Sequence, residues 1–272
     1  MKKIESRKVF WITLFVIFCL VAGICLGFFI YSFVNQKIVN EAMKDAQGIV
    51  TLPVYVDNGV PVGTDTVAEE KEVVVREFRT IDFEELWMTA PDTYAWIDIP
   101  DTKISYPIVQ HPTNDRYYIR RSINGSYDAS GCIFSESLTD TDFEDENTLL
   151  YGHYMDNGTK FGELLKYSNK DFFNSHRIIY IYTPTKILTY RVFAAVPFSS
   201  RHVLKTYSHF PEPLEIFMKD VRSVTDARAV FADGDFPKED EKILTLSTCM
   251  ENNSKKRFLV LARLIDSQLY PY

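Results

Sequence analysis

The sequence predicts a mainly β domain, a barrel or a sandwich, behind an N-terminal apolar helix. Three observations point there. Aromatics are abundant (16 Tyr, 20 Phe and 3 Trp) and β-branched residues fall in short runs, a composition that suits pleated, half-buried surfaces. Short apolar runs alternate with turn residues at the spacing of an all-β fold. One uncharged stretch near the N-terminus is far too long to be a strand.

That stretch covers residues 9–34, 26 residues without a charge, where about 20 suffice to cross a bilayer. Lys2, Lys3, Arg7 and Lys8 precede it. The basic flank is expected to stay in the cytoplasm (1–8), leaving the C-terminal bulk outside. A cleaved signal peptide is the rival reading. Its apolar region is usually about 7–15 residues and ends in a small-x-small site, whereas Tyr31-Ser32-Phe33-Val34 offers none. Residues 35–80 read as an extracellular stalk, with a short helix over 39–49 and then breakers at Pro53, Gly59, Pro61 and Gly63. The compact domain is expected over 81–272, long enough to bury a core without disulfide staples. Cys19 and Cys25 fall in the apolar run, so only Cys132 and Cys249 belong to the exported part. Two cysteines make no disulfide framework, although one bridge between them stays open. Net charge is −7 and no basic run follows the N-terminus, which argues against nucleic acid as a partner.

Within the domain, Asp82 is placed to cap a short helix over 83–87. Strands are expected over 95–99, 104–109, 116–119, 131–134 and 148–151. Helical segments follow over 161–167 and 171–174. Two more strands, 178–182 and 187–197, flank a turn at Thr183-Pro184-Thr185. Residues 211–224 carry Leu214, Phe217, Met218 and Val221 on one helical face. Strands over 243–247 and 257–265 come last.

The candidate chemistry gathers at strand ends. Cys249 ends the run Thr245-Leu246-Ser247-Thr248-Cys249, where a strand gives way to polar sequence. A thiol is a nucleophile only as thiolate, and an unperturbed one is a few per cent ionised at neutral pH, so it needs a base. His153 stands in a similar setting, after Leu149-Leu150-Tyr151-Gly152. His111, His176, His202 and His209 sit in turns or polar segments and read as surface histidines. Attack on an acyl carbonyl also calls for an oxyanion donor. Arg257 opens the next strand and would lie beside the thiol if that strand turned back antiparallel; Arg263 shares its parity further along. Taken one by one, each residue has a bland reading: a buried filler cysteine, a solvated arginine.

Together the residues resemble a known family. TLSTC with the downstream Arg257, and LLYGHYMDNGTKFGELLKY upstream, is similar to the sortases of Gram-positive bacteria. The likeness extends to WIDIPDTKISYPIVQ (96–110) and NDRYYIRR (114–121). The N-terminal anchor, the helix-bearing insert over about 200–240 and the Gly-His-x-Met segment resemble class B. The resemblance implies a closed β-barrel of about eight strands. It implies Cys249 as nucleophile, His153 as general acid/base and Arg257 as the group that stabilises the transition state. Ser247, Asn114 and Tyr167 are implied as substrate contacts. The implied partners are surface proteins with a C-terminal sorting motif and a cell-wall peptide amine as acceptor. Two rivals stand beside this reading: an exported cysteine peptidase that hydrolyses without transfer, and an anchored, non-enzymatic binding module.

No metal or nucleotide cofactor is expected. The acids Asp140, Asp142, Glu144, Asp145 and Glu146 fail the calcium-loop pattern. Counted from Asp140, its glycine position holds Asp145 and its terminal glutamate position holds Tyr151. Cys132 reads as core.

Overall fold

The computed structural model describes residues 2–48, 50–55, 77–208, 212–238, 240–250 and 253–270. Helix α1 runs unbroken over Lys2–Gly48. Within its part Leu14–Gly48 an 18-residue window reaches a mean hydropathy of 2.7 with none of that window buried, so by length and composition the helix is able to cross a membrane. The short helix expected over 39–49 is the last part of α1. No break marks the end of the apolar run, because good helix formers and the Lys37–Glu41 pair carry the helix on. Val39 and Ala46 of this part are buried. Strand β1 (Val50–Tyr55) then pairs antiparallel with β2 (Glu77–Ile81), a hairpin the sequence reading did not anticipate. Residues 56–76, the rest of the expected stalk, lie outside the described residues, as does His209.

Helix α2 (Phe83–Thr89) is capped as expected, with the Asp82 carboxylate accepting from the Glu85 amide at 2.9 Å. The barrel strands follow: β3 (Thr93–Asp98), β4 (Ser105–Val109), β5 (Ile133–Phe134), β6 (Asn147–Tyr151), β7 (Ile178–Tyr182) and β8 (Lys186–Ser199). Helix α3 (Lys170–Ser175) precedes β7. After β8 come α4 (Val203–Tyr207), α5 (Pro213–Arg222), β9 (Val230–Phe231), β10 (Ile243–Met250) and β11 (Asn253–Leu269). The sheet order is β11-β10-β6-β5-β4-β3-β7-β8, and β8 also pairs with β11, closing an eight-stranded barrel with β9 added at β8. The β4–β5 and β6–β10 pairs are parallel and the others antiparallel.

Alternation along the strands builds two cores. On β3, Ala95 and Ile97 join the main cluster with Ile108, Leu150, Leu244, Leu246 and Val260. Trp96, on the other face, packs with Phe78, Ile81, Leu86, Val109 and Tyr270, so α2 and β2 sit on the outside of the barrel. Burying each large apolar side chain contributes about 1.5–3 kcal/mol. On α5, Phe217, Met218 and Val221 are the buried face, as their spacing requires.

Two expectations change. Residues 116–119 do not form a strand. The Asn114 side chain accepts from the Arg116 amide at 3.1 Å and the Asn114 carbonyl from the Tyr117 amide at 2.9 Å, so the chain turns into a 3₁₀ helix, Tyr117–Arg120. Strand β10 extends to Met250, so Cys249 lies within a strand and not after one. All four cysteines are free thiols, which excludes the Cys132–Cys249 bridge. Cys132 is buried, and burial pushes its thiol up to about 12.

Candidate active site

Strand β10 is the spine of the site. Leu244, Leu246 and Met250 point into the main core, so Thr245, Ser247 and Cys249 share the opposite face. All but Cys249 are buried. Two neighbours bring chemistry to this face. On one side β11 runs antiparallel, and Arg257 is the direct cross-strand partner of Cys249. Opposite residues of an antiparallel pair share a face, with Cβ atoms about 4.5–5.5 Å apart. Arg263 instead stands opposite Ile243, and its Nε donates to Asp235 at 2.9 Å, so it is tied into an ion pair far from the thiol.

On the other side β6 runs parallel to β10, with Tyr151 beside Ser247. One further bond, from the Gly152 amide to the Ser247 carbonyl at 3.1 Å, continues the ladder. Carried on by two residue pairs beyond Tyr151–Ser247, that register sets His153 alongside Cys249. Gly152 is what lets the chain pass. A Cβ there would stand 2.6 Å from the Ile133 side chain and 2.7 Å from the Phe161 ring.

The imidazole of His153 is held by backbone. Its Nε2 lies 2.8 Å from the Ile119 carbonyl oxygen. A carbonyl only accepts, so Nε2 carries the hydrogen and Nδ1 is the basic nitrogen of the neutral ring. The Ile119 carbonyl is fixed in turn by Gly131. This residue has φ +59°, and a Cβ on it would stand 2.4 Å from Ile119 O and 2.6 Å from Tyr118 O. The next residue donates its amide to Tyr118 O at 3.1 Å. Sequence reasoning found neither Ile119 nor Gly131. A backbone carbonyl has no residue signature, and a glycine before a strand is only a hint.

Other groups line the same face. Burial raises the Tyr151 hydroxyl, as does the Glu136 carboxylate, while the Arg257 guanidinium lowers it. His202 is no surface histidine. It pairs through Nε2 with Glu136 and caps α4 through Nδ1, which accepts the Lys205 amide at 3.2 Å. His111 and His176 are also engaged: His111 lies tilted against the Tyr117 ring at 4.2 Å, and His176 is stacked on the Phe172 ring at 3.9 Å. Asn114 is exposed, with its side-chain oxygen bound to the turn. Tyr167 is not brought to this face. It is fully buried in the main core and donates its hydroxyl to the His176 carbonyl at 2.6 Å. The structure therefore gathers Cys249, Arg257, Ser247 and His153 and leaves Tyr167 as packing.

A cleft of about 910 Å³ lies between α5 and the start of β10, lined by Leu214, Met218, Arg222 and Ile243 among others. Ile243 is six residues from Cys249, about 20 Å at strand rise, so this cleft is at the wrong end of the strand for the thiol. Among the described residues no cluster of His, Cys, Asp or Glu could hold a metal ion. Glu144 of the acidic run is bound by Lys186 and Lys242.

The sortase domain family matches residues 97–265, more than half of the chain. The chain belongs to the sortase family. The sortase B of Listeria monocytogenes is 28% identical over 176 residues, 64% of this chain and 70% of that protein. The sortase B of Staphylococcus aureus is 26% identical over 186 residues, 67% and 74% of the two chains. Among solved structures, sortase B from Bacillus anthracis superposes with a TM-score of 0.63 at 26% identity, covering 87% of this chain and 98% of that one. The class B expectation and the eight-stranded barrel therefore hold. Sortases are cysteine transpeptidases acting on peptide bonds, on surface-protein substrates and cell-wall precursors, and are membrane-associated in Gram-positive bacteria.

Proposed function

We propose that this sortase is anchored by α1 with its barrel on the outer face of the membrane. There it cleaves a C-terminal sorting motif after threonine and transfers the protein to a cell-wall peptide amine through a thioester. One observation carries the reading: Arg257 is paired with Cys249 across β10–β11, and the parallel β6–β10 register leads His153 to the same strand end.

The chemistry follows from those groups. Cys249 gives its proton to Nδ1 of His153, and the sulfur attacks the threonine carbonyl. The oxyanion that forms is met by Arg257, a permanently charged planar donor. Collapse breaks the C–N bond, and the proton held on Nδ1 passes to the leaving amine. An acceptor amine then attacks the thioester. It forms a new amide, and the thiol is released with its proton. Ser247, on the Cys249 face, and Asn114 are proposed to touch the bound motif.

The test uses the full chain in detergent with a library of sorting-motif peptides, with and without an amine acceptor, read by mass spectrometry. Expected are cleavage after threonine, an amine adduct when the acceptor is present, and loss of both in Cys249→Ala. Cleavage with no adduct at any acceptor concentration would make the protein a peptidase. Identical behaviour of wild type and variant would favour a binding module. Replacing Arg257 by Lys is expected to lower kcat by about 10²-fold with little change in KM, because the donor acts on the transition state.

A further inference from the structure

Resting on the reading of α1 as a membrane span, we infer that the barrel does not hang on a flexible tether. Its Arg116–Tyr127 turn is held against the bilayer surface and takes anionic lipid headgroups as its partner.

The argument starts from where the helix leaves the membrane. The uncharged run ends at Val34, and its 26 residues reach about 39 Å at helical rise, against a hydrocarbon core of about 30 Å. Asn35 therefore emerges at headgroup level. Its side-chain amide donates to the Tyr127 carbonyl. Further from the membrane along the same helix, Val39 and Ala46 are buried against the domain. The helix end is then tied in by β1, where Val50 pairs with Ile81. The helix is thus docked along its exposed length, and the part of the barrel it touches first is Tyr127.

What surrounds Tyr127 suits a charged lipid surface. Arg121 forms an antiparallel bridge with it. The Asp128 amide donates to the Arg120 carbonyl at 3.1 Å, so both arginines are joined to the strip that Asn35 pins. Arg121 is held in place over the Tyr117 ring at 4.7 Å and bonded to Gly125 O at 2.8 Å. Arg116, Arg120 and Arg121 are exposed and form no ion pair with a described acidic residue, in a chain whose net charge is −7. Tyr127 is itself 48% exposed, an aromatic at the level where tyrosines anchor to interfaces. Each arginine near an anionic surface adds about five-fold to partitioning. The same turn carries Ile119, whose carbonyl orients His153, so the contact would fix the active site at a short, constant height above the lipid.

The test places an environment-sensitive fluorescent amino acid at Tyr127, or at Glu84 as control, in the full chain reconstituted into vesicles. Glu84 is exposed and follows β2, whose Ile81 pairs with Val50 of β1, the strand just beyond the far end of α1. Quenching is read with nitroxide-headgroup lipid in vesicles with and without 30% phosphatidylglycerol. Expected is quenching at 127 at least three-fold that at 84, stronger with the anionic lipid and cut by half or more in Arg116→Gln/Arg120→Gln. Equal quenching at 127 and 84 in protein that resists carbonate extraction overturns the inference while the span stands. Quenching that ignores lipid charge and both arginines overturns the headgroup assignment. Extraction by carbonate removes the span, and the inference with it.

Discussion

Gly131→Ala is the sharpest probe of the site, because it changes a residue that touches no substrate. Two costs follow from the structure. The residue sits at φ +59°, where a side chain costs about 1–2 kcal/mol. The new Cβ would also lie 2.4 Å from Ile119 O, so the carbonyl must retreat by about 0.6 Å or more. Its bond to His153 Nε2 is 2.8 Å long, and a retreat of that size takes it to the edge of hydrogen bonding. Without that bond the ring is free to rotate and to exchange tautomers, which removes the defined basic Nδ1. A misplacement near 1 Å costs about 10²-fold in rate. The assay is steady-state cleavage of a sorting peptide over a pH series, beside thermal unfolding. Expected is a fall in kcat of about 10²-fold, a displaced pH profile and little change in KM. Gly125→Ala is the control. It has φ +79° in the same turn, but its Cβ would meet only the Tyr117 hydroxyl at 3.0 Å. It should lose similar stability and keep its kcat. If Gly131→Ala melts earlier yet turns over within two-fold of wild type, the Ile119 carbonyl does not set His153 and the reasoning is wrong.

Three further outcomes are expected. Asp235 receives Arg263 and Arg177 together; burial raises its carboxyl, but the two guanidiniums outweigh it and hold it below the usual range. Asp235→Asn should therefore cost about 3 kcal/mol at neutral pH, a Tm drop of about 6–12 °C by calorimetry. A carboxyl whose folded pKa is depressed stabilises above its unfolded pKa of about 4, so the gap between wild type and variant should close as pH falls below that value. Iodoacetamide on the folded protein in vesicles at pH 8 should modify Cys249 and spare Cys132 until denaturant is added, read by peptide mass mapping; early labelling of Cys132 would contradict its burial. Tyr167→Phe should cost about 1 kcal/mol in chemical unfolding through its bond to the His176 carbonyl, and leave the KM for a sorting peptide unchanged.

The barrel was legible where sequence and local geometry agree. Strand β7 falls on the expected residues because the Thr183 hydroxyl accepts the Lys186 amide at 2.9 Å and fixes the turn to β8. The Asp82 cap was readable for the same reason. The stretch 116–119 misled, because Tyr-Tyr-Ile favours a strand while Asn114, two residues upstream, decides for a turn. The pairing of Cys249 with Arg257 was reachable from parity and strand reversal alone. The route to His153 was not, since nothing local in residues 147–151 announces a parallel partner about a hundred residues later. Tyr167 was implied only by the family resemblance, and in this structure its aromatic ring is buried in the core.

The parallel β6–β10 pair also has a temporal side. His153, the proposed base, follows a strand that leaves the ribosome about a hundred residues before the strand with the thiol, and the barrel closes only when β11 bonds to both β10 and β8. A chain caught partway through synthesis carries a histidine with nothing to deprotonate. On the proposed mechanism, closing the barrel is the activation step, and topology supplies the delay.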